Sequence, residues 1–117
     1  MSQTTLADAA CAALHGEHLV VRQWAIDARH DHVAWCDVRR PDLQGDELSV
    51  AAALVEVMAS RAGQIAPRWT ADVPAASRSI YLVPVTLPRS RQVSETQGPE
   101  PLRRRRIYAM PNYLAFA

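Results

Sequence analysis

Apolar residues recur at helical spacing in three stretches of the first 63 positions. Leu6, Ala10, Ala13 and Leu14 set an alanine-rich helix over Thr4–Leu14, with Thr4 or Thr5 as its cap and Gly16 where a helix end favours glycine. Val20 or Val21, Trp24, Ala25 and Ala28 mark a second helix from His18 to about His30. Its β-branched pair Val20–Val21 leaves a strand open as an alternative. Pro41 and Gly45 punctuate a connection that holds a short element around Val33–Val38. The third pattern is the strongest. Val50, Ala51, Leu54, Val55, Met58 and Ala62 follow the i, i+3, i+4, i+7 rule over Leu48–Arg61, with Asp46 as the expected cap, Glu47 in the first turn and Gly63 as the stop.

Beyond Gly63 the pattern changes. Seven of the eight prolines lie there, so long regular elements are not expected. Ile80–Val83 predicts a short strand or extended strip, and Pro88–Gly98 a mobile polar loop. Pro99 or Pro101 starts a brief helix through Arg106. The run from Ile107 to Phe116 is so apolar that it should dock on the helical half or on a partner. The predicted fold is mainly α: one small helical domain over residues 1–117, of about three helices. Residues 1–63 form the helical part, and 64–117 a proline-rich, largely irregular extended arm with short helical turns.

Length and composition agree with a single globular domain, since 117 residues with 49% apolar content can bury a core unaided. No stretch approaches the roughly 20 apolar residues of a membrane span, and the N-terminus has no positive charge ahead of its apolar residues. Cytoplasm is the expected location, where Cys11 and Cys36 would stay reduced. All thirteen basic residues are arginine. The near-neutral total hides an asymmetry. Residues 1–62 carry five arginines against nine acids, and residues 63–117 eight against three. Such a layout either steers a partner or helps the two halves pack together.

Known catalytic patterns fail one by one. Cys11 and His15 lie one helical turn apart, but no tight cysteine or histidine pair completes a zinc site. His15-Gly16-Glu17 matches half of the zinc deaminase signature, and the cysteine half is missing. His30-Asp31-His32 suggests a metal-dependent phosphohydrolase without the further ligands such enzymes need. A chain lacking lysine has no P-loop of the usual form, and four glycines leave little scope for a phosphate cradle. No catalytic residue, metal or cofactor is expected from these patterns. The densest charge run, Arg103, Arg104, Arg105 and Arg106, reads either as a phosphate contact or as a short helix whose arginines divide between solvent and the acidic half.

Arg61-Ala62-Gly63-Gln64 with Ala66-Pro67-Arg68-Trp69-Thr70-Ala71-Asp72-Val73-Pro74 forms one distinctive segment. Pro99, Leu102, Arg103, Arg105, Ile107, Tyr108, Pro111, Asn112, Tyr113 and Leu114 form another. Together with Arg22-Gln23-Trp24 and the helix from Leu48, they resemble a group of short bacterial antitoxin-like proteins encoded beside nucleotidyltransferase-like proteins. Met110 departs from the pattern, which has proline there. The resemblance implies a non-enzymatic protein that binds and neutralises a cognate toxin-like protein. Arginine and tyrosine are good interface anchors, so the expected contact residues are Arg103, Arg104, Arg105, Arg106, Tyr108, Tyr113 and Trp69. For Trp69, Tyr108 and Tyr113, completing the protein's own core is an equal alternative. Removal of residues 99–117 is expected to leave the N-terminal helices formed. The alternatives are a small nucleic-acid-binding regulator using the same arginines, and a cryptic metal-dependent enzyme using His15, His30 and His32.

Overall fold

A computed structural model describes residues 4–82 and 87–115. Helix α1, Leu6–Leu14, begins at Thr5, whose hydroxyl accepts from the Asp8 amide while the Asp8 carboxylate accepts from the Thr5 amide. This reciprocal capping box satisfies two otherwise orphaned donors. Helix α2 spans His18–His30 and buries Val21, Trp24, Ala25 and Ala28, the stripe its periodicity predicts. The short element between Val33 and Val38 is a 3-10 turn, Trp35–Asp37, which sets Trp35 edge-on against Trp24 at 5.7 Å.

Helix α3, Gly45–Arg61, is the axis of the molecule. Leu48 to Val55 is buried without interruption, and Val57, Met58 and Ala59 follow. A helix apolar nearly all round must be covered on every side. Here α1, the 3-10 turn, α4 (Arg68–Ala71) and α6 (Glu100–Arg103) all pack on it. Ala51, Ala52 and Ala53 let those neighbours approach closely. Two readings of its ends need correction. Asp46 does not cap the helix: the cap is Gln44, which makes no side-chain cap bond, and the Asp46 carboxylate reaches across to Ser77. Ala62 belongs to no buried stripe but is exposed at the C-terminus.

The proline-rich half holds more structure than its pattern announced. Ile80–Tyr81 (β1) pairs in parallel with Ile107–Tyr108 (β2), Ile80 facing Ile107 and Tyr81 facing Tyr108. Ile80 and Ile107 point into the core, while Tyr81 and Tyr108 stack on the other side with centroids 5.2 Å apart. Val83, part of the expected strand, and Phe116, part of the expected apolar terminus, lie outside the described residues. The expected polar loop is instead helix α5, Pro88–Gln97. Proline at its first position is pre-set for a helix. Arg91 and Glu95 pair one turn apart at 3.2 Å, and fully buried Ser94 seats the helix. With no apolar stripe, nothing in its periodicity revealed it.

Leu102, Ile107, Ala109 and Leu114 enter the same core as α1–α3. The mainly helical fold therefore includes residues 99–115 as part of its packing. A Cα radius of gyration of 13.1 Å agrees with the roughly 13 Å of a compact domain this size. Among the described residues no helix is long and apolar enough to cross a membrane.

Candidate functional site

The arginine run has an internal use. The Arg105 side chain is 5% exposed; its guanidinium pairs with Glu56 on α3 and donates to the carbonyls of Thr70 at 2.7 Å and Pro101 at 3.2 Å. Arg104 joins the same Glu56 oxygen at 2.6 Å from a half-exposed position. Arg103 closes the turn after α5 by donating to the carbonyls of Gly98 at 2.7 Å and Thr96 at 3.2 Å. Arg106, exposed and at φ +65°, reaches the Ser77 carbonyl at 3.3 Å. The asymmetry of charge along the chain thus serves packing between its halves: Glu56 with Arg104 and Arg105, and Asp46 with Arg78.

The aromatic members of the expected contact set are likewise anchored. Trp69 is half-buried and donates its indole N–H to the Val38 carbonyl at 2.8 Å. Tyr108 stacks on Tyr81, over which the Arg91 guanidinium sits at 4.7 Å from the ring centre. The Tyr113 hydroxyl is buried without a hydrogen-bond partner among the described residues, and burial pushes its pKa above the usual tyrosine value. These seven residues divide between enclosed, half-buried and exposed positions. Arg105 is enclosed, and Trp69, Tyr108 and Tyr113 attach to three different places.

A different set of residues makes a cleft of about 490 Å³. It opens where the end of α2, the 3-10 turn, the end of α3 and the C-terminal turn meet. Ala28, Trp35, Met58 and Leu114 form a buried apolar floor, and Arg29, His32, Arg61 and Gln64 an exposed polar rim. No aspartate or glutamate among the described residues lines it. The rim is built by helix ends. Gln64, just past α3, accepts from the Trp35 amide at 2.8 Å and donates to the Val33 carbonyl at 3.4 Å. Arg61, in the last turn of α3, donates to the carbonyls of Tyr113 and Pro111 and so ties the C-terminal turn to the helix. Partial burial lowers its pKa from the ordinary arginine value.

Backbone conformation singles out the same cleft. Helices α1, α2 and α3 each end in a Schellman motif: Glu17 and Gly16 bond back to Ala12 and Ala13, Gln64 and Gly63 to Ala59 and Ser60, and Val33 and His32 to Ala28 and Arg29. The left-handed position is glycine in two of them, at φ +75° and +68°, but histidine in the third, at φ +51°. Leu114 also has positive φ, +63°. Such conformations in non-glycine residues cost roughly 1–2 kcal/mol each. Two of the three positive-φ non-glycine residues described therefore line one cleft. Sequence reasoning placed His32 only in a metal motif and overlooked Arg29. The legible signal was a histidine where a helix stop calls for glycine.

Cys11, His15, His30 and Cys36 assemble nothing. Among the described residues no three histidine, cysteine or acidic side chains converge as metal ligands. The Cys11 thiol donates to Glu47 at 3.3 Å, and burial with the nearby carboxylate raises its pKa, a setting that disfavours the reactive thiolate. No family model, no curated protein and no solved structure matches the chain.

Proposed function

We propose that this protein is a non-enzymatic, antitoxin-like binder that neutralises a cognate protein by covering part of its surface, and that the contact centres on the cleft. The observation that carries this reading is the union of an apolar floor, a cationic rim and two left-handed non-glycine residues in one concavity. The two segments that resemble antitoxin-like proteins meet at this place, where Arg61 and Gln64 from one and Leu114 from the other share the lining. The four-arginine run favours neither a phosphate contact nor a nucleic-acid regulator, because Glu56 already balances its centre. Cytoplasmic location belongs to the same proposal.

Affinity capture from the source cells with the tagged full-length chain, with and without nuclease, tests the reading. The expected result is one stoichiometric protein that survives nuclease. Its toxicity on expression should be relieved by the wild-type chain and not by Ala62→Trp, which fills the cleft from an exposed position. Recovery of nucleic acid alone, or relief that is indifferent to Ala62→Trp, would overturn the proposal.

A further inference from the structure

The rim of the cleft is cationic among the described residues. Arg29, His32 and Arg61 stand around it, and no acidic residue among the described residues lines it. The hydrogen bonds of Arg61 among the described residues go to carbonyl groups, which carry no full charge to balance the guanidinium. Below the rim, Trp35 is held by the edge contact with Trp24 and by the hydrogen bond its backbone N–H donates to the Gln64 side chain, and the floor is apolar. A cleft of about 490 Å³ exceeds what a lone carboxylate would fill. A lone apolar group would leave two guanidiniums facing it without compensation.

We infer that the cleft takes one large apolar side chain with a carboxylate beside it in sequence, presented by an acidic segment of the bound protein. The apolar group occupies the floor formed by Trp35, Met58 and Leu114, and the carboxylate meets Arg29 and Arg61 at the rim. Charge complementarity selects a protein segment with this pairing over a purely apolar helix face, which would leave the cations unpaired. This inference rests on the partner-binding reading and names the chemistry of the partner's anchor.

The test uses the full-length protein and blocked tetrapeptides, read by amide chemical-shift changes at His32, Gln64 and Ala115. Acetyl-Gly-Phe-Glu-Gly-amide is the probe. Its companions replace Glu by Gln, Glu by Lys, or Phe by Ala. A single anchor of this size should bind with Kd on the order of 1 mM. The Gln peptide should bind about fivefold more weakly, and the Lys and Ala peptides tenfold or more. Arg29→Gln, an exposed change on a helix end, should remove most of the preference for Glu over Gln. Equal binding of the Glu, Gln and Lys peptides would overturn the inference, as would shifts located away from the cleft. Shifts at cleft residues that depend on protein concentration without peptide would place a second copy there and overturn it as well. Because the peptides report on the cleft alone, their failure is separate from a failed capture of a cognate protein.

Discussion

At the scale of single residues, burial separates side chains that look alike in sequence. Arg104 and Arg105 are neighbours on the same glutamate, yet one is half-exposed and the other enclosed. Glu56→Gln strands the Arg105 charge in the interior and should destabilise the fold by about 3 kcal/mol, the scale of a broken buried pair. Arg104→Gln should cost less than about 1 kcal/mol, as for an exposed pair; urea unfolding of both variants measures the contrast. Asp46 gives a pH signature. Its backbone and side-chain hydrogen bonds from Ser77, with Arg78 and Arg106 nearby, hold its carboxyl below the ordinary value of 3.8. A lowered folded-state pKa means stability present above the ordinary value and lost as pH falls through the folded one. The acid limb of the wild-type urea midpoint should therefore be steeper than that of Asp46→Asn between about pH 5 and pH 2, the range a lowered carboxylate pKa spans. His32 joins stability to the proposed binding. His32→Gly relieves the left-handed strain and should raise stability by about 1 kcal/mol. The same change removes an imidazole from the rim and should weaken binding of the Phe-Glu peptide. Thermal melts and the peptide titration together check both signs.

At the scale of elements, α1, α2 and α3 were legible from their apolar spacing, although of the expected caps only that of α1 is present and α2 stops at His32 and not at a glycine. The Thr5–Asp8 capping box and the glycines at 16 and 63 each stand where local chemistry demands. Helix α5 was not legible. Its stability comes from docking: buried Ser94 and the close approach of Gly98 to the rest of the chain replace an apolar stripe. A β-carbon at Gly98 would lie 2.5 Å from the Ala109 carbonyl oxygen and 2.6 Å from that of Ser94. Both are backbone atoms with little freedom to yield, so Gly98→Ala should destabilise by about 2–3 kcal/mol through overpacking alone. Gly63→Ala meets open space and only left-handed strain, with an expected loss of about 1 kcal/mol. Denaturation midpoints of the two variants distinguish the mechanisms. The parallel pairing of β1 with β2 joins residues 27 positions apart, a contact that local pattern cannot announce.

For the whole molecule, the C-terminal segment is part of the core. Of the distinctive residues over 99–114, four are turned fully inward. Leu102, Ile107 and Leu114 are buried, Arg105 clasps Glu56, and Arg103 closes a turn, whereas the intervening Arg104 and Arg106 are exposed. That motif reads as a docking signature for the chain's own rear half. Deleting residues 99–117 removes three large buried side chains worth roughly 1.5–3 kcal/mol each. Their sum is comparable to the whole net stability of a typical domain, about 5–15 kcal/mol. The truncated chain should therefore lose its far-UV helical signal and cooperative melt. The expectation that residues 1–63 stay folded without the segment is revised on this ground.

The division between sequence and structure follows the range of the forces involved. Local interactions, which act within a few residues, determined the helices of the first 63 positions, the cap of α1, the glycine stops of α1 and α3, and a mainly α fold. The imbalance of charge along the chain was legible too, and left open whether it served a partner or the packing of the two halves. Only the tertiary structure decided that Glu56 absorbs the centre of the arginine run, that a stripe-less polar segment becomes a helix, and that Arg29, His32, Arg61 and Leu114 share one cleft. Those outcomes depend on burial and on residues far apart in the chain, such as Arg29 and Leu114, meeting around one cleft. Burial belongs to the packed chain as a whole, and spacing along a sequence does not contain it.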